Sequence, residues 1–169
     1  MPNIEIEFNP VDFITVGTVG PKGKRVFHLQ AAQGKQLVSL TIEKEQAWAL
    51  GQAIQELMDD LDERFGPADT SPMPSDLDLR DPIDPIFRVA QMGLGYDEDR
   101  NMVVLVAQEL VASQEEDEEV SPDDPHEPGI VRLWCSRVQM RALSLQAIEI
   151  VKSGRPDPKQ NGRLIYYWT

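Results

Sequence analysis

One pattern of apolar residues is written twice in this chain. Val38, Leu40 and Ile42 alternate along a β-branched run, and 93 positions later Val131, Leu133 and Cys135 alternate in the same way. The residues that follow match at the same offset: Gln46 with Gln139, Ala49 with Ala142, Leu50 with Leu143. Alternation at period two marks a strand with one buried face, and recurrence at three and four marks a helix. The spacing predicts strands over Phe13–Val19, Val26–Ala31 and Leu37–Ile42, then a helix from Lys44 to Phe65. It predicts the same series again over Phe87–Leu94, Asn101–Ala107 and Ile130–Cys135, with a helix to about Lys152. Ser136 and Gln139 form a capping-box pair at the start of that last helix. The expected fold is α+β: two β-β-β-α units related by a pseudo-twofold, their antiparallel strands in one sheet or two, the helices on one face. Ile4, Ile6 and Phe8 alternate and fit an added edge strand.

The units are set apart by composition. Residues 1–65 hold the first and 86–154 the second, with 66–85 as linker and 155–169 as a C-terminal tail, together expected to form one compact domain. The linker contains Pro67, Pro72, Pro74, Pro82 and Pro85, which cannot donate to a helix or a ladder. The net charge is −13, and much of it sits in two stretches, Asp59–Pro85 and the loop 113–129. What remains is close to neutral. So acidic a chain is a poor nucleic-acid binder through its overall field. The loop 113–129 reads as solvated and extended. A cation or a basic partner is the sharper reading, but the loop lacks the glycine turn and ligand spacing of a calcium-binding EF-hand. A single cysteine excludes an internal disulfide framework. No run of eighteen apolar residues and no basic, apolar leader is visible, so a cytoplasmic location without membrane contact is expected.

Gly17-Thr18-Val19-Gly20, Arg25, Phe27-His28-Leu29-Gln30-Ala31 and Glu43-Lys44-Glu45-Gln46 resemble the first half of an uncharacterised bacterial domain-of-unknown-function family labelled as repeat proteins. Phe87-Arg88-Val89, Leu94-Gly95-Tyr96-Asp97, the final helix and Gly154-Arg155-Pro156 are similar to its second half. The resemblance implies a C-terminal cysteine- and histidine-rich tail like a zinc ribbon. Asp157-Pro158-Lys159-Gln160-Asn161-Gly162 holds neither residue type, so that metal site does not carry over. The family's neighbourhood of lipid-kinase-like and histidine-phosphatase genes implies a shared pathway and assigns no chemistry.

Several residues are candidates for a site. Gly17, Gly20 and Gly23 with Lys24 miss the phosphate-loop spacing, so a hairpin turn is expected, with anion binding by Lys22, Lys24 and Arg25 as the functional reading. His28 would need a partner such as Glu43 for acid–base work; otherwise it is a strand histidine. His126, among prolines and acids, reads as solvated. Cys135 aligns with Ile42 and reads as a buried, inert thiol. Asp59, Asp62 and Glu63 share a helix face and could hold a divalent cation, or form a solvated helix end. Tyr166, Tyr167 and Trp168 form an apolar tail that either packs on its own body or docks into a protein partner or a second copy.

The expectation is a non-enzymatic binding or regulatory module acting through protein–protein contacts, with no cofactor. The alternative is an enzyme of phosphoester hydrolase type, or an enzyme accessory, with a carboxylate-bound metal between the halves near Arg25, His28, Gln30 and Glu43.

Overall fold

The structure is a computed structural model and describes residues 4–21, 23–68, 72–111 and 127–153. The chain runs β1 (Glu5–Phe8), β2 (Phe13–Val19), β3 (Val26–Gln33), β4 (Gln36–Ile42), α1 (Lys44–Phe65), β5 (Pro85–Asp97), β6 (Met102–Glu109), β7 (Ile130–Cys135) and α2 (Arg137–Ser153). It is an α+β fold with two helices against one seven-stranded sheet in the order β1-β7-β6-β5-β4-β3-β2.

The sheet is not antiparallel throughout, as the sequence reading expected. β4 pairs with β5 in parallel, and so does β1 with β7. The physical reason is the connection. α1 and the linker after it form a crossover that brings the chain back in the same direction, which a short hairpin cannot do.

The sheet must also curl. A flat sheet of this order would hold β1 and β2 about 29 Å apart, from strand spacings of ~4.8 Å. Yet only Asn9–Asp12 joins them, and the step from Phe8 to Phe13 reaches at most about 18 Å. The Val11 N–H donates to the Trp134 carbonyl at 2.9 Å, tying this joint to the end of β7.

The concave face carries the core. Leu29 faces Leu40 across β3–β4, and Leu105 faces Leu133 across β6–β7. Phe27 with Ile42 and Ala31 with Val38 are matched in register by Val103 with Cys135 and Ala107 with Val131. All are buried together with Leu50, Ile54 and Met58 of α1 and Met140, Leu143 and Ala147 of α2. Each fully buried leucine contributes about 1.5–3 kcal/mol.

Both helices begin as their sequences direct. The Glu43 N–H donates to Gln46 Oε1 at 2.7 Å, and the Ser136 N–H to Gln139 Oε1 at 2.8 Å, with Gln139 N–H returning to Ser136 Oγ. The helices cross where Gly51 meets Ser144, whose hydroxyl donates to the Gly51 carbonyl at 2.8 Å. A Cβ at Gly51 would stand 2.8 Å from Ile148 Cγ1 and 3.3 Å from the Ser144 carbonyl oxygen.

The convex face of β2–β4 is covered by the segment after α1. Leu79 lies against Gly17, where a Cβ would come within 2.6 Å of it. Gln30 grips the Arg80 backbone twice, donating to its carbonyl at 2.9 Å and accepting from its N–H at 2.7 Å. Thr15 and Gln30 are thereby fully buried but hydrogen-bonded, as buried polar groups must be to avoid a desolvation penalty.

Candidate functional site

The candidate site forms where β4 stops. Its parallel pairing with β5 ends at Thr41 and Arg88. From Val89 to Asp97, β5 has a strand partner only in β6 among the described residues. The chain leaves β4 as α1, and α1 stands beside this edge, which no other described strand pairs, without closing on it. The result is a cleft of about 450 Å³ lined by Gln46, Ala49, Leu50 and Ala53 of α1 and by Ala90–Leu94 of β5. Its lining is mostly apolar. Ala49 and Ala53 are exposed, Leu50 forms the floor, and Gly93 has nothing within 4 Å of the place a Cβ would occupy.

Both ends of the cleft are defined. At one end Gln46 Nε2 donates to the carbonyls of Val89 at 3.1 Å and Ala90 at 3.3 Å. At the other, Phe65 of α1 meets Tyr96 with ring centroids 5.7 Å apart.

On the opposite side of the fold, α2 lies along β2. Gln139 Nε2 donates to the Val11 carbonyl at 3.1 Å, as Gln46 does to Val89. There the resemblance ends. Gln146 Nε2 donates to the Val16 carbonyl at 3.2 Å and closes α2 onto the strand. The residue of α1 at the same offset as Gln146 is Ala53, which has no group to donate. Gln146 Nε2 also lies 3.5 Å from the Leu77 carbonyl, so α2 and the linker together cover the β2 edge, whereas Ala53 gives α1 no such donor toward β5.

A second cleft, of about 460 Å³, gathers charge at the start of α1: Arg25, Glu43, Lys44, Glu45 and Arg88 with Gly23 and Phe27. Arg25 and Glu43 are thus brought together. Glu43 is already bound to Arg88 in an ion pair, and Arg25 Nε is buried without a partner among the described residues. Lys24 is exposed in the β2–β3 hairpin, its N–H donating to the Pro21 carbonyl at 2.9 Å. Gly20 there has φ +108°, and a Cβ would meet the Lys24 carbonyl oxygen at 2.8 Å, so the glycines serve the turn. Lys22 lies outside the described residues.

His28 and Glu43 are not brought together. His28 is buried on the convex face beside Thr41, outside both clefts, and its Nδ1 has no partner among the described residues. Burial lowers its pKa below the ordinary value, partly offset by a backbone hydrogen bond at Leu40. A depressed pKa means that the folded state resists protonation. Stability is full above the unfolded value of about 6.5 and is lost as pH falls through the folded value. Urea titrations between pH 7.5 and 5 should show this loss in the native protein and a shallower one in His28→Gln; equal slopes would exclude the effect.

The remaining candidates have structural roles. Arg137, buried in α2, donates to Asp62 Oδ1 and to the Gly66 carbonyl, and Arg141 binds Asp59 at 3.1 Å and Asp62 at 3.0 Å. Asp59 and Asp62 therefore tie the end of α1 to the start of α2. Glu63 is exposed. Among the described residues no group of three His, Cys, Asp or Glu side chains is placed to hold a metal ion, which argues against the metal-enzyme alternative. Cys135 is fully buried and burial pushes its thiol pKa well up, so it is an inert core residue.

The expected docking of a partner or a second copy through Tyr166, Tyr167 and Trp168 is overturned. Beyond the Phe65–Tyr96 pair no aromatic cluster is present among the described residues, and those three lie outside them. His126 and most of the acidic loop also lie outside. Among the described residues no helix is long and apolar enough to cross a membrane.

The fold and the cleft define an α+β protein with two helices seated in a curled, partly parallel sheet. The chain belongs to the family described as "Protein of unknown function (DUF3090)", whose model matches residues 6–162. The match is to the family as a whole and shows neither a repeat nor a zinc-ribbon tail. No curated protein and no solved structure matches the chain.

Proposed function

We propose that this protein is a non-enzymatic binding module that acts through protein–protein contacts at the cleft between α1 and β5. It is read as a doubled β-β-β-α unit with a pseudo-twofold passing near Gly51 and Ser144, which stand 93 residues apart. Registers that agree across β3–β4 and β6–β7 support the doubling. The observation that carries the function is the broken equivalence: α2 closes on β2 through Gln146, while among the described residues α1 leaves the β5 edge open behind an apolar lining. An unpaired strand edge is a liability that proteins normally cover, and an exposed edge with an apolar wall is a recurrent recognition surface.

The reading is tested by affinity capture from the native cell with the wild-type chain and with Ala49→Arg/Ala53→Arg. Loss of a captured protein in the variant, with an unchanged melting temperature, is the expected result. Capture indifferent to the variant, or turnover of phosphoester substrates by the purified chain, would exclude it.

A further inference from the structure

We infer that the ligand of this cleft is an extended peptide, which adds to β5 as a further strand between β5 and α1. The inference rests on the binding reading above and names its partner class.

The backbone makes the first argument. In an antiparallel pair, alternate residues of a strand turn their N–H and C=O groups away from the partner. Along β5 from Gln91 onward those groups have no strand partner among the described residues, because β4 ends at Thr41, and as far as Leu94 the strand lines the cleft with α1. Gln46 takes the carbonyls of Val89 and Ala90, so the edge left free by the described residues begins just beyond them. A helix surface of alanines offers these groups nothing. A compact apolar ligand would fill the volume and still leave them unpaired and newly desolvated, at a cost. An extended chain fills the volume and pairs them.

The walls make the second argument. Ala49 and Ala53 stand one turn apart on α1 and keep that wall low, while Gly93 adds no side chain on the strand side. Small residues at these points let another backbone approach closely. From Gln91 to Tyr96 the edge is about 17 Å long, at ~3.3 Å per residue, and accommodates a segment of about five residues. The lining carries no acidic or basic side chain. A segment of small and apolar side chains therefore suits it, with charges only beyond the ends.

The closed side supplies the control. Gln146 donates to a β2 carbonyl from α2, so Ala53→Gln places the same amide at the corresponding position on α1 and should occupy the β5 edge.

The test uses peptides selected from a random display library on the immobilised full-length chain, resynthesised with and without N-methyl groups on alternate residues. The parent peptide should slow amide hydrogen exchange selectively within 91–96. N-methylation in the pairing phase should weaken binding about tenfold or more, since each backbone bond removed is worth several-fold in affinity, and methylation in the other phase should not. Ala53→Gln should weaken binding equally with an unchanged melting temperature.

Failure to select any binder overturns the inference, as does binding that survives Ala53→Gln or is blind to the phase of N-methylation. So does protection of 91–96 in the free monomer, which would place another part of this chain in the cleft. Protection that rises with protein concentration would place a second copy there. A natural partner captured through the cleft whose peptide tolerates N-methylation in both phases would sink strand addition and leave the binding-module reading intact.

Discussion

Asp62→Ala is expected to destabilise the protein by about 1.5–3 kcal/mol, the range for a hydrogen bond to a charged group and below the cost of stranding one member of a fully buried pair. The charge left behind is that of Arg137, whose side chain is 4% exposed, while that of Asp62 is 39% exposed. Among the described residues its guanidinium then keeps only the Gly66 carbonyl, and its Nε has no partner to begin with. The opposite substitution should cost far less. Arg137→Met removes the buried charge, and Asp62, already near solvent, retains Arg141 at 3.0 Å. Combining the two should recover much of the loss, because a well-packed apolar side chain can replace a buried pair at little cost. Urea unfolding of the three variants decides this. Equal effects of the two single substitutions would mean that the pair is screened like a surface ion pair, worth about 0–1 kcal/mol.

Gly51→Leu is expected to cost about 1–3 kcal/mol or more, the range for overpacking a closed core. The helices approach closely at this position because Gly51 presents only backbone to Ser144 and Ile148. The obstacle includes the Ser144 carbonyl oxygen, which cannot turn aside as a side-chain tip can. Gly51→Ala sets the gain in helix propensity, about 1 kcal/mol, against the same contact in milder form, so its net effect should be small. Ser144→Ala removes a buried hydrogen bond worth about 1 kcal/mol. If Gly51→Leu were tolerated as well as Gly51→Ala, the helices would not be in contact where they are placed.

Local features of this fold were legible in the sequence because they are enforced locally. The α1 boundaries at Lys44 and Phe65, the cap at Ser136 and the inward-facing Cys135 all follow from periodicity and capping within a few residues. The parallel pairings of β4 with β5 and β1 with β7 were not legible. Alternation says which face of a strand is buried and is silent on its neighbour and direction. Asp59 and Asp62 looked like a solvated or metal-binding helix end because their partners, Arg137 and Arg141, lie more than seventy residues away. The cleft was missed for a similar reason. Gln46 is a repeat position, but its bonds to Val89 and Ala90 appear only in three dimensions. One signal was available. The pairing of Ala53 with Gln146 at the repeat offset marks the place where the two helices differ in what they can donate.

An edge of β5 left open in the free protein, while the edge of β2 is covered, is what makes the cleft a binding surface. Amide hydrogen exchange of the free, full-length monomer measures this directly. The edge-facing amides within Gln91–Tyr96 should exchange much faster than those within Phe13–Val16, where α2 lies along the strand. Equal protection of the two segments would contradict the account, since it would mean that α1 or another part of the chain already closes the cleft.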